Sequence, residues 1–360
     1  MDDLRLDRAR ELVMRFGWHA AAYQIINPGI DLWFSSNNDA VIGFVVRHKV
    51  RVVAGAPVCD PQRLAAVVQE FEVEAGVRHQ KVCYFCAEDR LHSLLGHASR
   101  HSTVVLGAQP AWDPHHWADI TASRASLRAQ LNRARNKHVA VRCEHPERDG
   151  TLPELQRVLA EWLGTRGLPP LHFLVEPDTL ERLFDRKVFV ARRSGVIVAF
   201  LVASPAPARD GWLIEQLVRG RRAPNGTAEL LIDAVMRDLA SEDYSYATLG
   251  LSPLSRRAPA AEDSNPAWLR FLLRWVRAHG RRFYNFEGLD QFKAKFQPDR
   301  WEPVYAIAND PKFPPRALLA IASAFSDRSL VSTLARAVFR AVETELGWMV
   351  RGKKQMVRGG

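Results

Sequence analysis

The chain contains 360 residues and carries a formal net charge of +10; 47% of its residues are hydrophobic and 25% are charged. This composition excludes a disordered chain, and the length predicts two domains rather than one core. The positive charge favours a partner that carries phosphate, either nucleic acid or anionic lipid.

The first 145 residues predict an α/β domain, because strand-like and helical patterns alternate along them. The expected elements are helices at 4–16 and 61–72 and strands at 31–34, 40–46, 50–54 and 81–86. Cys83 and Cys86 lie in the last strand, where residues three apart point to opposite faces, so packed thiols are expected rather than zinc ligands. Four cysteines do not make a disulfide framework in a chain of this length, which favours a reducing cytoplasm.

A basic helix is predicted at 122–137, with Leu127, Leu131 and Ala134 on one face. Its basic side chains suit the backbone of a tRNA or an anionic lipid, and a solvated helix face is the alternative. The candidates for tRNA contacts are Arg128, Arg133, Arg135 and Lys137. The turn-rich segment 144–150 follows and is expected to mark a domain boundary.

Residues 146–310 repeat the α/β plan and form the second expected domain. The expected elements are helices at 152–164, 177–184 and 227–240, a hairpin at 188–203, and strands at 211–218 and 246–251. An amphipathic helix at 267–279 carries a second basic stripe. Residues 311–360 are expected to be an amphipathic helical extension, which either packs on the second domain or lies on an anionic membrane.

No apolar run reaches the ~20 residues that a membrane-spanning helix needs, and the first residues do not resemble a signal peptide. A cytoplasmic location is therefore expected, with peripheral contact at the inner face of the cell membrane left open. No Walker loop, H-E-x-x-H motif or zinc spacing occurs in the sequence, so neither a cofactor nor a metal is expected.

The loop at 219–226 is the first candidate site, because it leads into a predicted helix whose backbone amides could hold a phosphate or a carbonyl oxygen. Its candidate substrate-binding residues are Arg219, Asn225, Gly226 and Thr227. The alternative is a helix cap with a surface turn. The closely spaced glycines of an acetyl-CoA loop are not cleanly present, which argues against an ordinary CoA-dependent acetyltransferase.

Glu215 is the second candidate. Strand alternation places it on one face with Leu213, Leu217 and Arg219. Burial raises the pKa of a carboxyl group, so Glu215 is a candidate general base. A structural ion pair, with Arg219 as the suggested partner, is an equally good interpretation.

Aromatic and cationic residues alternate in a third candidate segment, 283–296. Such a mixture suits a phosphate-bearing substrate. Its candidate residues are Tyr284, Asn285, Lys293 and Lys295. The alternative is a core strand that runs into a helix with exposed lysines.

Several short segments, in this order, resemble the C-terminal domain of phosphatidylglycerol lysyltransferases, also called DUF2156. They are GAPV at 55–58, WLIEQLVR at 212–219, APNGTAELLI at 223–232, TLGLSPL at 248–254, FYNFEGL at 283–289, FKAKF at 292–296 and WEPVY at 301–305. The resemblance covers roughly residues 10 to 310.

The resemblance implies two tandem GNAT-like domains, each a mixed central sheet flanked by helices, joined by the basic helix. It implies transfer of an aminoacyl group from aminoacyl-tRNA to the headgroup of phosphatidylglycerol or a related anionic lipid. Members of the family usually carry membrane helices that flip the lipid, so a synthase without a flippase is expected here. They also tend to have an aspartate in the strand before the glycine loop, where this sequence has Glu215-Gln-Leu-Val-Arg219, which leaves the donor amino acid open.

Under this interpretation Glu215 assists the attacking hydroxyl, and Lys293 or Lys295 steadies the oxyanion or the lipid phosphate. Arg219, Asn225 and Gly226 hold the 3′ end of the tRNA. Two alternatives stay open: an N-acyltransferase that uses acyl-CoA, and a basic RNA- or lipid-binding protein without catalysis.

Overall fold

A computed structural model describes residues 2–165, 172–175, 178–258, 265–270, 273 and 285–325. The helices, numbered within this part of the chain, are α1 Asp2–Phe16, α2 Leu64–Val77, α3 Asp89–Leu95, α4 Trp117–Ser123, α5 Ala125–Arg135, α6 Leu152–Leu163, α7 Thr227–Ser241, α8 Phe286–Ala294 and α9 Pro315–Phe325. The strands are β1 Asp31–Phe34, β2 Val41–Arg47, β3 Val50–Ala54, β4 Lys81–Ala87, β5 Ser102–Trp112, β6 Val139–Glu144, β7 Lys187–Arg193, β8 Val196–Ala206, β9 Gly211–Arg219, β10 Tyr246–Thr248, β11 Ser252–Pro253 and β12 Arg300–Ala308.

The twelve strands form one mixed sheet in the order β1-β2-β3-β4-β12-β5-β10-β9-β8-β7-β6, with β11 paired to β5. Two neighbouring pairs are parallel, β3 with β4 and β9 with β10, and a helix connects the strands of each pair. The mixed sheet flanked by helices confirms the predicted fold class.

The two halves of the chain exchange strands at the centre of this sheet. Before its parallel pair and connecting helix, the first half supplies the antiparallel strands β1 and β2, and the second half supplies β6, β7 and β8. Each half then adds one later long strand, β5 in the first half and β12 in the second. Strand β5 pairs with β10 of the second half, and β12 pairs with β4 of the first half. The sheet runs without interruption through both halves, so it does not mark a boundary between two domains. The expected division at residue 145 therefore remains a prediction.

Helices cover both faces of the sheet. In the first half α2 and α3 pack on one face, while α1 and α9 pack on the other. In the second half α4, α5 and α7 cover one face and α6 the other. Leu127, Leu131 and Ala134 are the buried residues of α5, which confirms the predicted apolar face of the basic helix.

The cysteines are free thiols, as expected. The prediction that Cys83 and Cys86 point to opposite faces is wrong, because both pack against the same core. The cause is a bulge: Ala87 pairs with Tyr305 and Phe85 with Ala306, so Cys86 has no partner on β12 and adopts a positive φ of 60°. Burial raises the pKa of the Cys83 thiol to about 12.

Parts of the sequence-based prediction fall outside the described residues, namely the C-terminal helix beyond residue 325, its basic tail and most of the stripe at 267–281. Within the described ranges, no helix combines the length and the apolar character needed to cross a membrane. Nor does any group of three or more His, Cys, Asp or Glu residues in those ranges have an arrangement that could hold a metal ion.

Candidate active site

In the second half of the sheet the neighbouring strands β9 and β10 stop pairing after three residue pairs, and we call the gap between them the cleft. Strands β9 and β10 pair only at residues 211–213 and 246–248, and β9 then continues alongside β8 as far as Arg219. The equivalent pair in the first half stays closed, because β3 and β4 pair to their ends and the Gly55 N–H donates to the Phe85 carbonyl at 2.7 Å. The gap is therefore a candidate site for a substrate between the strands.

Glu215 lies in the wall of this cleft, at a bulge of β9. Gln216 pairs with Val202 and Ile214 with Ala203, which leaves Glu215 without a partner on β8. Beyond the bulge the alternation changes phase, so Ile214 and Leu217 both pack against the core under α7. The predicted common face for Leu213, Glu215, Leu217 and Arg219 is therefore wrong.

The Glu215 carboxylate is surrounded by donors. Arg186 donates through Nε to Oε2 at 3.0 Å and through its second nitrogen to Oε1 at 3.3 Å. The side-chain amides of Gln24 and Asn27 each donate to Oε1 at 3.2 Å. Arg186 also donates to Asn27 Oδ1 at 2.6 Å and lies over the ring of Tyr23.

This network favours the ion-pair interpretation of Glu215 over the general base. The partner is Arg186, so the suggestion of Arg219 is wrong. Sequence reasoning missed Arg186 because it lies in a turn before β7, 29 residues from Glu215, where no pattern marks it. Gln24 and Asn27 belong to the first half, so the carboxylate also ties the two halves together at the cleft.

Lys293 is buried and all three of its N–H bonds are used. Its Nζ donates to the carbonyls of Leu249, Gly250 and Leu251 at 2.7, 2.9 and 2.9 Å. Residues 249–251 connect β10 to β11, which both pair with β5, and they lie outside the sheet themselves. The ammonium of Lys293 therefore donates the hydrogen bonds that a neighbouring strand would otherwise supply. Burial lowers the pKa of Lys293 to about 7, whereas three carbonyl acceptors favour the ammonium form.

Lys295 has different surroundings. Its Nζ lies 2.6 Å from Glu229 in the first turn of α7 and over the ring of Phe292, and its side chain is 36% exposed. It can therefore reach solvent beside the loop at the cleft mouth, while Lys293 cannot.

The loop at 219–226 is held by its own contacts. Arg219 donates to the carbonyls of Ala223 and Pro224 at 3.3 and 3.4 Å, and the Thr227 hydroxyl donates to the Pro224 carbonyl at 2.7 Å. Gly226 has φ 93° and lies so close to α5 that a Cβ would overlap the Gln130 carbonyl. These contacts match the surface-turn part of that alternative, although no side chain caps α7 at Gly226; Asn225 is exposed.

Asn285 is the N-cap residue of a helix. Its Oδ1 accepts from the Gly288 N–H at 2.9 Å, at the start of α8. Tyr284 lies outside the described residues.

The four predicted tRNA contacts divide into two kinds. Arg128 donates to the Ala122 carbonyl, and Arg135 forms an ion pair with the buried Asp233 at 2.9 Å. Arg133 and Lys137 are exposed, and Arg133 makes only a long contact of 3.5 Å with the Gln130 side chain within α5. All four residues are exposed, and two of them, Arg128 and Arg135, also bond within the protein.

The sequence profile of the phosphatidylglycerol lysyltransferase C-terminal family matches residues 10–308. The Bacillus subtilis phosphatidylglycerol lysyltransferase is 26% identical over 276 residues, which covers 76% of this chain and 31% of the relative. A Staphylococcus epidermidis phosphatidylglycerol lysyltransferase is 22% identical over 307 residues, covering 82% of this chain and 35% of the relative. The chain thus spans about a third of the length of these relatives.

Two solved structures share the fold. The C-terminal DUF2156 domain from Agrobacterium fabrum has a TM-score of 0.77 at 23% identity and covers 91% of this chain and 98% of its own. L-PGS from Bacillus licheniformis has a TM-score of 0.72 at 23% identity and covers 88% of this chain and 95% of its own.

Proposed function

The chain belongs to the phosphatidylglycerol lysyltransferase C-terminal family, and from this premise we propose that it transfers an aminoacyl group from aminoacyl-tRNA to phosphatidylglycerol or a related anionic lipid. A hydroxyl of the lipid headgroup attacks the ester carbon of the aminoacyl-tRNA. A new ester bond forms, the bond to the tRNA ribose oxygen breaks, and the hydroxyl proton passes to that oxygen. No covalent enzyme intermediate is needed.

The observation that carries this proposal is the cleft between β9 and β10. The gap between these strands gives the aminoacyl end of the donor a place beside β9, whose residues after Leu213 have no strand partner on that side within the described ranges. Preorganised backbone dipoles of this kind can stabilise the charge that develops on the ester oxygen. The closed pair β3 and β4 supports a reaction site in the second half of the chain rather than the first.

We assign positioning roles to two buried charged groups beside the cleft. The Arg186–Glu215 pair holds the bulge of β9, and Lys293 holds residues 249–251 on the facing side. Lys295 and Asn225 are the accessible predicted residues that can meet a substrate phosphate at the mouth.

The acceptor in this proposal is a lipid, so the protein must meet the surface of the membrane at least transiently. The net charge of +10 supports attraction to an anionic leaflet. We place the protein at the cytoplasmic side, where charged tRNA is available.

The test is a lipid extraction assay. The purified protein is mixed with phosphatidylglycerol vesicles and total tRNA charged with labelled amino acids, and the extracted lipids are separated by charge. Label in a less anionic lipid supports the proposal and identifies the donor amino acid. Folded protein that labels no lipid with any amino acid contradicts it, and calorimetry with CoA then tests the acyl-CoA alternative.

A further inference from the structure

The side chain of the donor amino acid is the part of the substrate that the proposed function does not specify. Every aminoacyl ester carries an α-amino group, and a lysyl or arginyl donor adds a positive charge on its side chain. A charge that leaves water needs a partner of opposite sign, because its desolvation is otherwise uncompensated. The carboxylates around the cleft therefore decide which class of donor fits.

Glu215 is the carboxylate on the stretch of β9 that borders the cleft, and both of its oxygens are occupied. Oε2 accepts from Arg186 at 3.0 Å, and Oε1 accepts from Gln24 and Asn27 at 3.2 Å each. The side chains of Arg186 and Glu215 are 0% and 2% exposed. A second cation would have to share this carboxylate with Arg186, and like charges placed side by side repel each other. Glu215 therefore offers no partner to a positively charged donor side chain.

Other described carboxylates around the cleft and its loop also have basic partners. The pairs are Glu229 with Lys295 at 2.6 Å, Asp290 with Arg257 at 2.6 Å, Glu161 with Arg157 at 2.5 Å and Asp185 with Arg10 at 2.5 Å. Burial lowers the pKa of Lys293 and the nearby Asp290 opposes that shift, so Asp290 compensates two cations. None of these four carboxylates is left for a further positive charge.

A negatively charged donor side chain meets the same obstacle. Arg186 is held by Glu215, and Lys293 donates its three N–H bonds to backbone carbonyls. Arg219, at the end of β9, donates to two carbonyls of its own loop. These charged groups satisfy one another or the backbone, which leaves none of them for the donor.

We propose that the donor is an amino acid with an uncharged side chain, and that the Arg186–Glu215 pair excludes lysyl and arginyl donors. The inference rests on the proposed function, since it concerns the aminoacyl group that enters the cleft. A site that would leave a charge unpaired rejects a substrate strongly, whereas uncharged side chains of similar size are distinguished only weakly. Several uncharged amino acids can therefore serve as donors.

The experiment compares two donors that differ in the charge of the side chain alone. A single tRNA is charged by an aminoacylating ribozyme with lysine or with norleucine, which has the same carbon chain without the ammonium group. Because the RNA is the same, a difference in rate comes from the amino acid. The full chain is mixed with phosphatidylglycerol vesicles, and the initial rate of lipid labelling is measured for each donor. Aspartate on the same tRNA tests a negative side chain.

Wild-type protein should transfer norleucine faster than lysine by about tenfold or more. Arg186→Met frees the Glu215 carboxylate, so this preference should fall to less than about threefold. Glu215→Gln/Arg186→Met removes both charges and is the matched control, which should keep a preference of about tenfold. The ratio of the two rates is taken within each variant, so a general loss of activity or stability cancels.

Equal rates with lysine and norleucine in the wild type would overturn the inference and leave the proposed function standing. Faster transfer of aspartate than of norleucine would overturn it too. An unchanged preference in a folded Arg186→Met variant would show that the pair does not set the specificity. If that variant does not fold, the wild-type comparison still decides the class of donor. A lipid that is labelled by no donor refutes the proposed function itself, and the inference with it.

Discussion

The guanidinium of Arg186 lies 3.0 Å from the carboxylate of Glu215, and the two side chains are 0% and 2% exposed. Because removal of one member leaves the other as a buried unpaired charge, Glu215→Gln should lower the free energy of unfolding by about 3 kcal/mol. Transfer activity should fall with it. Chemical denaturation and the lipid-labelling assay measure the two effects.

The double variant Glu215→Gln/Arg186→Met separates positioning from chemistry at this pair. Removing both charges should restore about 1 to 3 kcal/mol relative to the sum of the single variants. Activity that recovers along with stability supports a positioning role. A single Glu215→Gln variant with wild-type stability and no activity would instead return Glu215 to the role of general base.

Lys293→Met should be severely destabilising, because it leaves three partly buried carbonyls without this donor. Each lost partner costs about 1 to 3 kcal/mol, so a total of about 3 kcal/mol or more is expected. Lys295→Met, which removes a partly exposed ion pair, should cost about 1 kcal/mol or less. Comparable losses of stability in the two variants would contradict the assigned role of Lys293. Loss of activity in Lys295→Met at unchanged stability would place Lys295 against the substrate.

Gly226→Ala should disturb the contact between α5 and the loop before α7. A Cβ there would overlap the Gln130 carbonyl, and φ is 93°. Gly195→Ala is the matched control, because φ is 81° there and no atom lies within 4 Å of the added Cβ. The control should cost about 1 kcal/mol from backbone strain alone, and Gly226→Ala clearly more. Equal melting temperatures for the two variants would show that the close approach is easily relieved.

The free energy of unfolding should decrease at mildly acidic pH because of the buried His19. Burial lowers the pKa of this imidazole from 6.5 to about 4, and its Nε2 lies 3.0 Å from the Ala56 carbonyl. The folded state therefore keeps His19 neutral while the unfolded chain takes up a proton below pH 6.5. The neutral His19 side chain makes its full contribution to the free energy of unfolding above pH 6.5. That contribution is lost as the pH falls toward 4, by up to about 3 kcal/mol.

His19→Gln is the reference for this effect, because the amide can still donate to the Ala56 carbonyl. The difference in melting temperature between wild type and variant should shrink between pH 7.5 and pH 5. A difference that stays constant over this range would show that His19 does not contribute to acid sensitivity.

Helices and strands with a clear periodicity of hydrophobic residues could be predicted from the sequence. The apolar stripe of α5 and the β7–β8 hairpin lie where periodicity and turn residues place them. The predicted helix at 177–184 is shorter than expected and reduces to a 3-10 turn at Asp178–Glu181. Strands β5, β6 and β12 were not anticipated. Pro110 in β5 and Pro303 in β12 normally argue against a central strand, and here tertiary pairing overrides that rule.

The candidate site was predicted less completely than the fold, for a physical reason. Alternation assumes an unbroken strand, and the bulge at Glu215 changes which side chains share a face. The partner Arg186 and the acceptors of Lys293 depend on contacts between distant segments, and backbone carbonyls leave no signature in a sequence.

The exchanged strands have a consequence for the order in which the protein can fold. Strand β12 closes the gap between β4 and β5, yet it follows β5 by almost two hundred residues of chain. During synthesis both of those strands must wait with an open edge, and open edges invite pairing with other chains. Contacts so distant in sequence are slow to form. The middle of the sheet is therefore the last part to close, and newly made chains should depend most on protection from aggregation just before residue 308 leaves the ribosome.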